Sequence, residues 1–212
     1  MDNYKFETDY NHLKKVYNFD SKTVKKDDVN LVIYHNHCVD GFMCACIAKK
    51  YLNEVELIPF QYGWDLDDLY YKLKDKNILI CDFSFEHDVF EKIKEISNNV
   101  LVLDHHKTAI SKMEKISDEY KVFDMKHCGA FITYCYFYDF NIPKCVLYVE
   151  DNDLWLKKLP LTSEFTSYAY VNLGNHDIFS DMFDDNKLEQ FLNIGKGMVL
   201  MNEDYIKYGL ER

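Results

Sequence analysis

The chain has 212 residues, enough for one large domain or two small ones with a sizeable core. Its 48% hydrophobic and 29% charged residues are ordinary for a soluble globular protein, and no stretch approaches the ~20 apolar residues of a membrane span. The formal net charge of -11 disfavours binding to long duplex nucleic acid, which takes a basic footprint, and suits a site that collects divalent cations.

Residues 1–28 are polar and rich in Lys and Asp, and read as an irregular lead-in with a short helix around 10–17. The start, Met1-Asp2-Asn3-Tyr4-Lys5, lacks the apolar core of a secretory signal, so a cytoplasmic location is expected. From residue 29 strands and helices alternate. A strand at 29–35 precedes a helix at 41–53, in which Phe42, Ala45, Cys46 and Ala48 supply small and apolar positions. A strand at 55–60, a short helix at 64–73, a strand at 77–82, an amphipathic helix at 86–97 and a strand at 100–104 follow. This alternation predicts an α/β fold, a mostly parallel sheet flanked by helices. Beyond Asp104 a strand-like stretch at 120–123 leads into helices at 129–139, 143–151, 164–173 and 187–208. Three Pro and no Gly/Ser-rich linker imply one compact unit: lead-in 1–28, α/β core 29–155 and a helical segment 156–212 of the same domain. The seven Cys include no Cys-x-x-Cys pair and read as reduced core thiols, without a structural zinc site. The 17 Tyr and 15 Phe are expected to pack the core before they serve as a base-stacking surface.

Three apolar runs, 31–34, 78–81 and 100–103, end in acid or imidazole. The first enters His35-Asn36-His37-Cys38-Val39-Asp40-Gly41, the second Asp82-Phe83-Ser84, and the third Asp104-His105-His106. Parallel sheets bind ligands at this edge. Imidazole and carboxylate together suit Mn²⁺, Fe²⁺, Co²⁺ or Zn²⁺. A carboxylate bridging two ions gives a site about 3.5–4 Å across that ionises a water and clamps an in-line displacement at phosphorus. The residue types therefore point to hydrolysis of a phosphoester or phosphoanhydride. Lys107, next to the triplet, is a candidate phosphate contact. Cys38 can be read as a ligand of a soft ion or as a packed small residue. Four further histidines have plainer readings: His37 is set aside in favour of His35, His87 caps or is solvated, His127 lies in an exposed loop, and His176 belongs to a turn, Gly174-Asn175-His176-Asp177.

The ordered segments resemble the motifs of the DHH phosphoesterase superfamily, which includes single-strand exonucleases, oligoribonucleases (nano-RNases), cyclic-dinucleotide phosphodiesterases and family II inorganic pyrophosphatases. The motifs are His35-x-x-Cys38-x-Asp40-Gly41-Phe42, Asp82 within Cys81-Asp82-Phe83-Ser84, Asp104-His105-His106-Lys107-Thr108, and the stretch 148–155. Cys128-Gly129-Ala130 resembles the small-residue helix start that follows the triplet. The likeness covers roughly 29–155. It implies two divalent metals, Mn²⁺ with Mg²⁺ or Co²⁺ as substitutes. His35 and Asp82 would hold the first, with Cys38 standing where many members carry an Asp. Asp40, Asp82, His105 and Asp151 would hold the second, with Asp151 assigned over Asp153. Asp82 would bridge, and Asp104 would orient His105 or His106. His106 and Lys107 would meet the substrate, which makes His106, Asp104 and Asp82 the catalytic set. The implied activity is hydrolysis of phosphodiester bonds in short single-stranded oligonucleotides or dinucleotides by metal hydroxide. The alternatives are a hydrolase of pyrophosphate or polyphosphate, and a catalytically weak DHH-like binding module. Expected partners are a short oligonucleotide or a phosphorylated small molecule, with no membrane and no long duplex DNA; a homo-oligomer is open. Nothing in the sequence resembles the C-terminal substrate-binding domain that many members carry.

Overall fold

Helices cover the central sheet on both sides, so its inner strands are apolar on both faces. The computed structural model describes residues 9–210; residues 1–8 of the expected lead-in and the last two of the expected helical segment lie outside the described residues. The strands are β1 (Leu31–His35), β2 (Glu56–Phe60), β3 (Asn77–Cys81), β4 (Asn99–Asp104) and β5 (Lys121–Phe123). The helices are α1 (Tyr10–Tyr17), α2 (Val39–Leu52), α3 (Asp67–Leu73), α4 (His87–Ile96), α5 (Ile110–Met113), α6 (Gly129–Tyr138), α7 (Lys144–Asp153), α8 (Thr162–Val171), α9 (His176–Asp181) and α10 (Asp185–Leu210). The fold is α/β, a five-stranded sheet followed by a helical segment, as expected from the alternating pattern. Among the described residues no helix is long and apolar enough to cross a membrane.

The strand order is β2-β1-β3-β4-β5 and every pair is parallel. Alternation of side chains along each strand sends Val32, Leu79 and Leu101 to one face, where Met43 and Ile47 of α2 and Phe131 of α6 join them. Ile33, Ile80 and Val102 go to the other, against Leu73 of α3 and Phe90 and Ile93 of α4. Each aliphatic chain buried this way contributes about 1.5–3 kcal/mol. The chain leaves β1 toward β2, then returns past β1 to β3. The order therefore reverses between β1 and β3, and a crevice opens beyond their carboxyl ends.

α2 is buried continuously from Val39 to Ala48, and small residues let it lie close to β1. A Cβ at Gly41 would collide with the His35 carbonyl, so the Asp-Gly step is what allows α2 to start beside the end of β1. In the helical segment Gly195 of α10 passes the Glu164 carbonyl of α8 just as closely. Two elements depart from expectation. α5 was not anticipated. Nor was α9, because Gly174 and Asn175 form the expected turn (Gly174 φ +89°) and Asn175 then caps a new helix, accepting from Ile178 N at 3.1 Å.

Candidate metal centre

The crevice collects side chains from the ends of five elements. His35 ends β1, Cys38 is the residue before α2, and Asp40 sits in the first turn of that helix. Asp82 follows β3 in a left-handed conformation, φ +54°, which Asp tolerates better than most residues. Its N–H still donates to Leu103 O at 2.9 Å, so the sheet fixes its backbone. Asp104 ends β4 and is followed by His105 and His106. Asp153 ends α7.

His105 Nε2 faces three carboxylates: Asp82 Oδ1 at 3.1 Å, Asp153 Oδ2 at 3.4 Å and Asp40 Oδ2 at 3.5 Å. Asp40 also accepts from the first N–H groups of α6, Gly129 N and Ala130 N, both at 2.7 Å. Here glycine is required: a Cβ on Gly129 would lie 2.7 Å from Asp82 Cβ and 2.9 Å from Asp40 Oδ2. The other oxygen of Asp82, Oδ2, lies 3.5 Å from His35 Nδ1, and both atoms are buried with no hydrogen-bond partner. Ligand-type atoms of His35, Cys38 and Asp82 lie within 4.8 Å of one another, as do those of Asp40, His105 and Asp153. Asp82 joins the two groups through His105.

Charge is out of balance in this small buried volume. Burial pushes the Asp40 carboxyl well up, and the charges of Asp82 and Asp153 add to it. Asp153 is raised by burial and by Asp82, against the pull of His105. Burial also works against the Asp82 carboxylate, but His105, His35 and His106 outweigh it and hold the group below the usual range. His105 is pushed up to about 10: burial opposes its charge, and the three acids prevail. Burial drives the Cys38 thiol up, with Asp82 and Asp40 beside it. Buried acids in excess of their cationic partners, two orphaned polar atoms and a mixed imidazole, carboxylate and thiol set are the donor chemistry of a divalent cation. The residues fit such an ion.

Asp104 does not enter the cluster as a free carboxylate. Its Oδ1 accepts from His105 N at 2.8 Å and lies 2.7 Å from His106 Nδ1, while Oδ2 accepts from Ser84 Oγ. Of the two histidines it orients His106, and this bond raises the His106 pKa. Lys107 is exposed at the start of a short 3-10 turn next to His106.

The expected fourth acid is corrected. Asp151 faces away from the cluster, accepting from Lys158 N at 2.8 Å, Leu159 N at 3.2 Å and Thr162 Oγ1 at 2.6 Å. Two positions on a helix differ by about 200°, so Asp151 and Asp153 point to opposite sides of α7, and Asp153 is the one that reaches His105. His127 is likewise not an exposed loop residue: it is buried, stacked on Phe131 with centroids 3.9 Å apart, and its Nδ1 is 3.1 Å from Glu150 Oε2. His176 lies away from the centre, with its Nδ1 3.3 Å from Cys46 Sγ, and His37 is exposed.

Sequence reasoning also passed over Tyr62. Most aromatics pack the core, but Tyr62 is 48% exposed beside the centre. Its ring stacks on Phe83 at 4.2 Å and meets the His35 ring edge-on at 6.0 Å. Lys112 Nζ lies 5.1 Å from the ring centre and is held by Glu86 at 2.7 Å. A hydrophobic ring next to polar strand-end motifs carries no signal of its own in one sequence.

No family model matches the chain. It is similar to an uncharacterized protein of Acanthamoeba polyphaga mimivirus, 33% identical over 184 residues that make up 80% of this chain and 44% of that relative. The chain thus spans less than half the length of the curated relative it matches. A crystal structure of an uncharacterized protein from Helicobacter pylori superposes with a TM-score of 0.58 at 17% identity, over 80% of this chain and 55% of that one. That likeness is one of fold.

Proposed function

We propose that this protein is a DHH-type, metal-dependent phosphoesterase that hydrolyses phosphodiester bonds of short single-stranded oligonucleotides or dinucleotides. The observation that carries the reading is Asp82. It is a buried carboxylate with one oxygen on His105 and the other unpartnered beside His35, at the sheet's switch point. His35, Cys38 and Asp82 would hold one divalent ion, and Asp40, Asp82, His105 and Asp153 the other, Mn²⁺ being the expected metal. Such a pair, when bound, supplies Lewis acidity to a phosphoryl group and acidifies a water.

The chain's own residues do the rest. Asp104 fixes the His106 ring through Nδ1 and leaves the second ring nitrogen to meet a phosphoryl oxygen or pass a proton to the leaving group. Lys107 adds a positive charge at the rim, where an entering phosphate loses water. Tyr62 gives the reading its direction toward nucleotides. A half-exposed ring fixed on Phe83 beside His35 suits a base stacked next to the scissile phosphate, and inorganic pyrophosphate has no use for it. All seven cysteines are free, which favours a reducing compartment such as the cytoplasm.

The test uses protein stripped with chelator and reloaded with Mn²⁺, offered a labelled dinucleotide, a longer RNA, a cyclic dinucleotide and pyrophosphate. Cleavage of the short linear substrates ahead of the others is expected. Turnover that persists in chelator, or pyrophosphate as the preferred substrate, refutes the proposal.

A further inference from the structure

The two halves of the centre are not built from the same donors. Around His105 the donors are carboxylate oxygens and one imidazole, and Asp40 in that half is already engaged by the N–H groups of Gly129 and Ala130. Around His35 the donors are one imidazole nitrogen, the Cys38 sulfur and Asp82 Oδ2. Two independent features mark the second group as a ligand site. Asp82 is 1% exposed, and its Oδ2 is buried and unpartnered while lying in one group with the sulfur. His35 Nδ1 is orphaned in the same way. Cys38 is also set apart from the other cysteines: it is half-buried at the start of α2, whereas the other six are buried.

We infer that the centre is chemically asymmetric, with the half formed by His35, Cys38 and Asp82 selecting a thiophilic ion such as Zn²⁺, Co²⁺ or Fe²⁺, while the half formed by Asp40, Asp82, His105 and Asp153 takes an oxygen-preferring ion such as Mn²⁺ or Mg²⁺. The inference rests on the metal centre proposed above and adds its selectivity. Softness of the ligand decides which first-row ion a site prefers, and a thiolate shifts that preference toward Co²⁺ and Zn²⁺ and away from Mg²⁺. The Cys38 thiol loses its proton to solvent as the sulfur takes the ion, so uptake releases acid. Nothing is oxidised or reduced. Asp82 gives one oxygen to each half, so the soft ion and the hard ion share a single carboxylate. Filling one half therefore alters the other.

The experiment loads the metal-free protein with Co²⁺ and reads two things: bound cobalt by equilibrium dialysis, and the near-ultraviolet charge-transfer band that a cobalt-thiolate bond produces. The expected result is two bound Co²⁺ and a clear band. Zn²⁺ should displace the band and Mg²⁺ should not. Cys38→Ser should lose the band, and Cys38→Asp should lose it while still binding two Co²⁺. Cys46→Ser, which alters a buried thiol away from the centre, should keep it. In Cys38→Asp the preference for Zn²⁺ over Mn²⁺ should fall by about tenfold or more. Two bound Co²⁺ without a band in the wild type overturn the asymmetry and leave the metal centre standing. A band that survives Cys38→Ser also overturns it. No bound cobalt at all overturns both, and dialysis separates that outcome from the others.

Discussion

Two acid-histidine arrangements buried among the described residues differ in stoichiometry. In one, Glu150 meets His127 and the Cys128 N–H, and the His127 ring lies flat on Phe131. In the other, His105 meets Asp40, Asp82 and Asp153 at once. The first brings two donors, His127 Nδ1 and the Cys128 N–H, to one acid, at Glu150 Oε2. The second gathers three acids on one imidazole and leaves Asp82 Oδ2 and His35 Nδ1 3.5 Å apart, neither of them hydrogen-bonded. Burial alone does not distinguish a structural pair from a ligand site, since both are deep. An excess of acceptors over donors does.

The sharpest way to break this comparison is to remove one acid from each arrangement. Asp82→Asn should abolish metal-dependent hydrolysis and sharply reduce Mn²⁺ uptake, a loss of several kcal/mol in transition-state stabilisation, with the fold retained in circular dichroism. Wild-type turnover in this variant would end the comparison. Glu150→Ala should do the reverse: urea denaturation should show a loss of about 2–4 kcal/mol, from an unpaired His127 and Cys128 N–H and a small cavity, with Mn²⁺ stoichiometry unchanged.

Under the proposed function His106→Ala should leave metal content intact and lower turnover about 10²–10⁴-fold, because that reading has the ring held by Asp104 act on substrate. Gly129→Ala tests the seam between the two regions. The added methyl must displace Asp82 or Asp40, so a cost of about 1–3 kcal/mol in stability and weaker Mn²⁺ binding are expected together.

The smallest effect is in pH dependence. The folded His105 pKa of about 10 lies above its ordinary 6.5. Its contribution to the metal-free protein is complete below the unfolded value and is lost as pH rises through about 10. Asp40 and Asp153, also raised, act in the same direction. Asp82, held low, has the opposite sign, and its contribution disappears as pH falls below the ordinary carboxylate range. Urea midpoints of the metal-free protein should therefore decline toward alkaline pH, and Mn²⁺ should flatten the decline. A metal-free midpoint that does not change over that interval would mean that His105 carries no extra proton.

The strands and most of the centre were legible because both follow from local sequence. Apolar runs make the strands, and whatever ends a parallel strand is delivered to one edge, so His35, Asp40, Asp82 and His105 could be named without coordinates. Asp153 could not, because choosing between it and Asp151 needs the rotational phase of α7, which is set by packing against distant residues. The loop that follows α7 supplies two donors to Asp151 and the first residue of α8 a third, and nothing before residue 158 announces them. The burial of His127 depends in the same way on Glu150, 23 residues further on. Cys128-Gly129-Ala130 reads as a small-residue helix start, but the approach of Asp82 that makes Gly129 obligatory comes from the end of β3, far off in the chain.

The grip of Asp40 on the first turn of α6 joins residues 89 and 90 positions apart in the chain. Contacts of such separation carry a large loop-closure cost and form when most of the chain is already in place. The crevice is therefore expected to assemble late, after the strands that supply its histidines have found one another. The amides of Gly129 and Ala130 act as clocks for that event: their protons exchange with solvent only when the helix start lets go of the carboxylate, so their exchange rates measure how often the folded protein opens at its centre.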